Sequence, residues 1–493
     1  MQKLPALRTF LLTASLTGIN FTCLASDRAD FQQWMSKETN NFQEYRDKRD
    51  KEFTGFLKSQ WKEMQRFQGL VRDETPKPVR IPVAPKPPAK PVTPITKAPD
   101  FKPVIVKVPV IKPATLPPEI IPDSKPQKTN GTRVQLNFYG QKPVFYYDPA
   151  LAVTLTRPIN EKAMSRIWSD MSKADYEGLL KQLNAQRKPL NLNDWGYALL
   201  TNLLAQKVHP NSRNNQAIFT WYLMTKAGYQ ARIAYDSNYV YLLMPTQQQL
   251  FASPYFTFDN IRYYALSFDG VKQKPRRIFT YNGNYPGATK ALDMRLNVAM
   301  NTARQEKKRK LKFKFNNKDY VIHAAHDAET IRYLKTYPQM DIAMYFNSKV
   351  NQSTANPILK QLKPLVDGKT EVEAVNLLLR FVQTSFKYKT DEQQFGIENY
   401  LFPEETLHYP FSDCEDRAVF FAWLVHNLLG LEVVGLDFPG HIASAVKFNE
   451  NVPGDAVTFN GKKYVVADPT YINANAGMTM PAYKNLKPGI ISY

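Results

Sequence analysis

One cysteine of this 493-residue chain has the surroundings of a nucleophile. The segment 411–417 reads FSDCEDR, and nearly every residue from 418 to 429 is apolar. This pattern predicts a buried helix with Cys414 in its first turn. There Ser412 or Asp413 can cap the free backbone N–H groups, and the helix dipole favours the thiolate over the thiol. Cys414 is therefore a candidate for attack on a carbonyl carbon.

A cysteine nucleophile needs a base and a third group that orients the base. His426 is excluded, because twelve residues along the same helix correspond to about 18 Å. His441 opens a predicted strand on which Ala443 and Ala445 follow on the same side, small residues that leave room for the cysteine helix. Asp468 ends the predicted strand 464–468. The pattern predicts a triad of papain type, with His441 as base and acid and Asp468 as its orienting carboxylate.

The elements around these residues predict an α+β domain over residues 356–493. Leucine-rich helices occupy 356–388, and the cysteine helix, a strand over 432–438 and a strand over 441–448 follow. Asn460-Gly461 between two β-type runs is a strong hairpin signal. Helices followed by an antiparallel sheet are typical of the α+β class.

Cys414, His441 and Asp468 in this order, with an acid before the cysteine and Pro469-Thr470 after the aspartate, resemble the transglutaminase-like superfamily of papain-fold enzymes. The similarity covers residues 356–480 and extends to exported bacterial members, some of which are cysteine peptidases. It implies an attack on an amide through a thioester. Many relatives continue the histidine as His-Ala-Trp, whereas this chain has Ile442-Ala443 after His441.

The resemblance also suggests auxiliary groups. Gln383, on an upstream helix, is a candidate oxyanion donor beside the Cys414 backbone N–H, because papain-fold enzymes often have a glutamine there; an exposed helix residue is the alternative. Some bacterial relatives hold calcium near the cysteine, and Asp413, Glu415 and Asp416 could do so. Complementing the helix dipole explains the same acids, so we expect no metal and no cofactor.

A second, degenerate copy of the domain is predicted over residues 131–270. Its helix, strand and hairpin signals repeat those of the C-terminal domain, and the triad positions fall at Arg213, Tyr239 and Ser267. The spacings agree, whereas all three catalytic groups are lost. Chance alignment of ordinary segments is the alternative. A basic connector over 271–355 joins the two copies.

Three further segments precede the copies. Residues 1–25 have the charged start, apolar run and small residues of a signal peptide, which predicts a periplasmic or secreted protein. Aromatic residues recur every eleven positions through 27–70, which predicts one long helix. That helix self-associates, docks on a partner or lies on a membrane surface; the alternative is that it packs on the chain's own domains. The proline- and lysine-rich stretch 71–130 predicts an extended spacer.

These observations lead to two hypotheses. The first is an exported cysteine-dependent amide hydrolase or acyl transferase that acts on a protein or peptide of the cell envelope. The second is a non-catalytic scaffold or binding protein of the envelope that uses the same fold. A formal charge of +21 favours anionic envelope polymers as further partners, and no nucleic-acid partner is expected.

Overall fold

The protein is a mixed α+β chain in a computed structural model that describes residues 24–66, 77–78, 81–86, 131–268 and 277–493. The described helices are α1 (Leu24–Ser59), α2 (Glu161–Met171), α3 (Tyr176–Ala185), α4 (Asp194–Val208), α5 (Arg213–Lys226), α6 (Ala328–Leu334), α7 (Ala343–Phe346), α8 (Gln352–Val366), α9 (Glu371–Ser385), α10 (Asp391–Phe395), α11 (Pro403–His408) and α12 (Cys414–Leu429). The predicted α+β class is confirmed.

The strands form two larger sheets and three small ribbons. They are β1 (Trp61–Gln65), β2 (Thr132–Gln135), β3 (Val144–Tyr147), β4 (Arg232–Tyr235), β5 (Val240–Pro245), β6 (Tyr255–Phe258), β7 (Ile261–Leu266), β8 (Arg277–Tyr281), β9 (Glu306–Phe315), β10 (Lys318–Asp327), β11 (Lys387–Tyr388), β12 (Phe411–Ser412), β13 (Glu432–Phe438), β14 (His441–Lys447), β15 (Ala456–Phe459), β16 (Lys462–Val466) and β17 (Gly489–Ile491).

The two larger sheets share one topology. The N-terminal sheet has the order β1-β8-β4-β5-β7-β6, and the C-terminal sheet has the order β17-β13-β14-β16-β15. Apart from β1, each sheet places its fifth strand beside the first, then the second, fourth and third, all antiparallel. A helix precedes each set and packs on its first two strands, α5 in one case and α12 in the other. The helix and sheet order is therefore repeated within the chain.

The helix α12 is buried because its sequence is apolar on nearly every side. Phe420 and Phe421 are fully covered, and they share a core with α9 and with Ile442 of β14. Gly430 ends the helix in the left-handed conformation that glycine adopts without strain. The predicted helix start at Cys414 is confirmed, and so is the hairpin at Asn460-Gly461, where both residues have positive φ.

The N-terminal helix is shorter than predicted and is attached to the chain's own fold. The helix α1 ends at Ser59, and residues 61–65 form β1 at the edge of the N-terminal sheet, so a helix through residue 70 is wrong. Trp61 is of a residue type common in strands, and its ring packs on Tyr235 and Tyr281. Residue 67 lies outside the described residues. Tertiary pairing with β8 overrides the helical period here.

The C-terminal half of α1 is held in place by aromatic packing and by a buried ion pair. Phe53 packs edge-on against Trp168, with ring centroids 4.6 Å apart, and against Tyr285. Asp50 accepts hydrogen bonds from Lys226 and from the Tyr285 hydroxyl. The recurring aromatic residues of α1 thus pack on the chain's own domain in this half of the helix, and self-association stays a prediction.

The predicted spacer and connector also differ from the structure. Lys77 and residues 81–86 contact the C-terminal unit, so this part of 71–130 is not a free spacer; residues 87–130 lie outside the described part. Residues 277–355 of the expected connector are ordered as well: β8 belongs to the N-terminal sheet, and the β9–β10 hairpin packs on α8 and α9. These contacts join residues that are far apart in sequence, and local sequence patterns do not predict such contacts.

Residues 1–23, which carry most of the predicted signal peptide, lie outside the described residues. Within the described ranges, no helix combines the length and the apolar composition that crossing a membrane requires.

We predict that Phe53→Ala destabilises the protein by about 3–5 kcal/mol, because it removes a buried ring and leaves a cavity among aromatic side chains. Thermal and urea unfolding would measure the loss. The control is Tyr45→Ala on the same helix, a residue that is 62% exposed and whose truncation should cost less than about 0.5 kcal/mol. Equal losses for the two variants would contradict the docked arrangement of α1.

Candidate active site

Cys414 is the first residue of α12 and is fully buried. The helix start is fixed by Asp416, whose carboxylate accepts hydrogen bonds from the backbone N–H groups of Asp413 and Leu401. The side chain of Asp413 makes no capping hydrogen bond, so the expected capping role belongs to Asp416. The predicted position of Cys414 in the first turn is confirmed.

The thiol of Cys414 bonds to a carboxylate rather than to a histidine. Its Sγ donates to Glu415 Oε2 at 3.0 Å. Burial, followed by the charges of Glu415 and Asp413, raises the pKa of Cys414 well above its ordinary value, and only Lys77 among the main neighbours acts in the opposite direction. Burial and the two adjacent carboxylates thus oppose the thiolate that the helix dipole was expected to favour.

His441 and Asp468 form a buried pair. His441 Nε2 lies 2.9 Å from Asp468 Oδ2, and both side chains are almost inaccessible. The other oxygen of Asp468 accepts from the backbone N–H groups of Thr470 and Tyr471. These bonds fix the carboxylate and thereby the orientation of the imidazole. Within the described part of the chain, His441 Nδ1 is buried and has no hydrogen-bond partner.

Tyr483 neighbours both halves of the predicted triad. Its ring stacks on His441 with centroids 4.9 Å apart. Burial, and then the charges of Cys414 and Asp468, raises the pKa of Tyr483. The structure thus brings His441 and Asp468 together and sets Cys414 in electrostatic contact with the same tyrosine, but it makes no Cys414–His441 hydrogen bond between these described residues.

One step of the sequence argument for His441 is wrong. Ala443 and Ala445 do not face α12: they pack with Leu436 in a core on the opposite side of the sheet. Ile442 and Val446 of β14 are the residues that pack against α12. The alternation of side chains along β14 was predicted correctly, but the face that packs on α12 was assigned to the wrong set of residues.

Gln383 is not an oxyanion donor in this structure. Its amide nitrogen donates to the carbonyl oxygens of Asp468 and Ala474, and its amide oxygen accepts from the Asn473 backbone N–H. The side chain is buried, so it is not an exposed helix residue either. Gln383 instead holds the loop after β16 and so positions Asp468.

A cluster of buried acids surrounds the start of α12. Asp391, Asp413 and Asp416 bring carboxylate oxygens within 4.8 Å of one another, and Glu415 and Glu398 lie beside them. Oxygen ligands of this kind suit calcium. In this structure the ammonium of Lys77 supplies the positive charge: its Nζ lies 2.6 Å from Glu415, 2.6 Å from Glu398, 3.1 Å from Asp413 and 3.6 Å from Asp391.

The cluster holds more acid than one ammonium can balance. Burial, and then the charge of Asp413, raises the pKa of Asp391, Glu415 and Asp416 far above ordinary values. Arg417, buried beneath, donates to the carbonyl oxygen of Phe386 and to the Ser412 hydroxyl, and burial lowers its pKa to about 10. Each of these acids is therefore harder to ionise than an exposed one, since several buried charges held close together are costly.

Sequence reasoning missed Lys77, Tyr388 and Tyr483. Lys77 belongs to a stretch whose composition predicts a spacer, and it lies 336 residues from Asp413. The Tyr388 hydroxyl is buried and, within the described residues, has no hydrogen-bond partner. Burial and then the charge of Cys414 raise its pKa, so it is close to the cysteine. No local signal distinguishes these residues from ordinary core or linker positions.

The corresponding positions of the N-terminal sheet lie where the repeat predicts them. Arg213 is the first residue of α5, Tyr239 directly precedes β5, and Ser267 directly follows β7. Each occupies nearly the same place in its element as Cys414, His441 and Asp468.

Searches against protein-family models, curated proteins and solved structures find no match to this chain. The resemblance to transglutaminase-like enzymes therefore stays a hypothesis that rests on the residues and their geometry.

We predict that Glu415→Gln makes Cys414 more reactive. The variant removes the negative charge that accepts the thiol proton, so the pKa of Cys414 falls and the thiolate fraction at neutral pH rises. Alkylation by iodoacetamide at pH 7 should become about tenfold faster or more, and its pH midpoint should move to lower pH. Mass spectrometry of the Cys414 peptide measures both.

The matched control is Glu373→Gln on α9, an exposed acid with the same change of charge, which should leave the alkylation profile unchanged. An unchanged or slower reaction in Glu415→Gln would show that Glu415 does not hold the thiol in its protonated form.

Proposed function

We propose that this chain is an exported cysteine-dependent amide hydrolase or acyl transferase that acts on a protein or peptide of the cell envelope. Cys414 is the nucleophile, His441 the general base and acid, and Asp468 the group that orients His441. The proposal is supported mainly by one observation, the buried His441–Asp468 hydrogen bond at 2.9 Å that leaves His441 Nδ1 without a partner. A histidine held in this way by a carboxylate can take a proton with its free nitrogen.

The fold supports the same proposal. A buried helix that begins at the cysteine and packs on the strand that begins at the histidine is the arrangement expected of a transglutaminase-like domain over residues 356–493. The repeated strand order supports a degenerate copy of that domain around the N-terminal sheet, with Arg213, Tyr239 and Ser267 in the triad positions. The copy has none of the groups that acyl transfer needs, so its role is recognition or regulation.

The reaction follows from the roles of these groups. The Cys414 proton moves to His441 Nδ1, the thiolate attacks the amide carbon, and the tetrahedral oxyanion forms. The Cys414 backbone N–H and the buried Tyr388 hydroxyl are the candidate donors to that oxyanion, because Gln383 is committed elsewhere. His441 then gives its proton to the leaving amine, and the thioester is resolved by water or by an amine.

A specific observation favours the second candidate, a non-catalytic envelope scaffold. Cys414 is fully buried and its thiol bonds to Glu415, which is the state of an inert cysteine. The two proposals differ in what His441 does to the thiol. Only an enzyme requires that His441 and Asp468 change the reactivity of Cys414.

We predict that His441→Ala slows alkylation of Cys414 at pH 7 by about a hundredfold, because the base that accepts the thiol proton is lost. Asp468→Asn should slow it less, since the imidazole stays but loses its orienting charge. The measurement is the rate of iodoacetamide labelling from pH 5 to pH 9, with the urea-unfolded chain as the reference for a free thiol near pKa 8.5.

Circular dichroism and thermal unfolding would verify that each variant is folded. A second readout is acetylation of Cys414 by p-nitrophenyl acetate, which gives the thioester directly and should be absent in Cys414→Ser. If His441→Ala and the unchanged protein have the same labelling profile over the whole pH range, the enzyme proposal is wrong and the scaffold remains.

A further inference from the structure

The ammonium group of Lys77 is enclosed by acids that belong to the candidate active site. Its side chain is only 5% exposed, and three of its carboxylate contacts are at 2.6, 2.6 and 3.1 Å. An ammonium has three N–H donors, which matches three close oxygens. The Tyr400 ring lies 5.8 Å from Nζ and adds a cation–π contact. These contacts together form a binding site for a primary ammonium group.

The backbone that follows Lys77 binds in the manner of an extended peptide. Val83 pairs with Ile472 as a parallel bridge, and the Ala84 N–H donates to the Ile472 carbonyl oxygen at 2.9 Å. The Ala84 carbonyl oxygen accepts from the Asn473 side chain. Such main-chain bonds are of the kind that hold an extended peptide, and Ile472 lies four residues after Asp468 in the sequence.

Side chains of the same segment cover the histidine side of the site. Ala84 is buried with Tyr471 and Met480, and Ile81 packs on the same cluster, which also includes Tyr483. Tyr483 in turn stacks on His441. The described residues of this segment, 77–78 and 81–86, thus contact both the acids beside Cys414 and the cluster that includes the ring stacked on His441.

The acids retain unused capacity for a cation. Asp413 is fully buried, and its Oδ1 has no hydrogen-bond partner among the described residues. The neighbouring Glu415 is one residue from the nucleophile and contacts both the thiol and the ammonium. A group that enters this cluster is therefore adjacent to the reacting sulfur.

We propose that Asp391, Glu398, Asp413 and Glu415 form a subsite for the primary ammonium group of an extended peptide, and that Lys77 occupies this subsite from within the same chain. The ligand in trans is a lysine side chain, or a comparable primary amine, on a peptide that replaces segment 77–86. The description of that peptide as a substrate rests on the function proposed above; the binding site itself does not.

The test uses the full chain with its internal occupant weakened. Lys77→Ala removes the ammonium, and Ala84→Pro removes the N–H that bonds to Ile472, so the double variant should expose the subsite. The probe is a fluorescent synthetic peptide with the sequence of residues 74–86, measured by anisotropy. We expect it to bind the double variant and not the unchanged protein, whose subsite is filled.

Charge specificity is tested with a second peptide in which norleucine replaces the lysine that corresponds to Lys77. It should bind the double variant at least about thirtyfold more weakly, because a buried cluster of acids is left without its cation. The matched protein control is Lys86→Ala, an exposed lysine of the same segment, which should bind neither peptide. Equal binding of the two peptides, or no binding to the folded double variant, would overturn the proposal.

A measurement on the unchanged protein decides the matter if the double variant does not fold. Acetylation of native protein by an N-hydroxysuccinimide ester should modify Lys77 at least about tenfold more slowly than Lys86, because its ammonium is buried and ion-paired. Equal rates would overturn the proposal. Binding is read without turnover, so peptide binding with an unreactive Cys414 would reject only the enzyme, and reactive Cys414 without peptide binding would reject only the subsite.

Discussion

The burial of several carboxyl groups at the start of one helix is the constraint on which the site depends. Asp413, Glu415 and Asp416 are fully buried around Cys414, and acids in such a place need protons, hydrogen bonds or a cation. Asp416 is satisfied by backbone N–H groups, whereas Asp413 and Glu415 share Lys77. The cation comes from a segment that local sequence assigns to a spacer. The electrostatic needs of the helix start thus determine where that distant segment lies.

The N-terminal segment contacts the helices that pack on the two larger sheets through buried ion pairs of opposite sense. Asp50 of α1 contacts Lys226 of α5, whereas Lys77 contacts acids at the start of α12. Buried ion pairs add little net stability, but breaking one partner is costly, so they specify position more than they stabilise. The aromatic packing of Phe53 supplies the stabilisation that the ion pair beside it does not.

Local patterns predicted much of the fold, because the signals concerned residues close in sequence. The apolar run predicted α12 from its first residue. The Asn460-Gly461 pair, in which both residues have positive φ, predicted the hairpin. The repeat predicted Arg213 at the start of α5. The His441–Asp468 pair was also predicted, although β14 pairs with β16 rather than with β15, the next strand in sequence. The predictions that were wrong or missing concern features that tertiary contacts determine. These are the face of β14 that packs on α12, the hydrogen bonds of Gln383, the end of α1 and the ion pairs of Lys77.

The position of Lys77 links binding to chemistry. Its charge lowers the pKa of Cys414, while burial, Glu415 and Asp413 raise it. A cation in the subsite therefore favours the thiolate, and an empty subsite leaves the carboxylates unopposed. Under the proposed exchange, a peptide's ammonium that replaces Lys77 supplies the same charge, so the pKa of Cys414 is lowered to the same extent as by Lys77. The acids beside Cys414 would then discriminate against a peptide without the cation, because such a peptide leaves them unopposed.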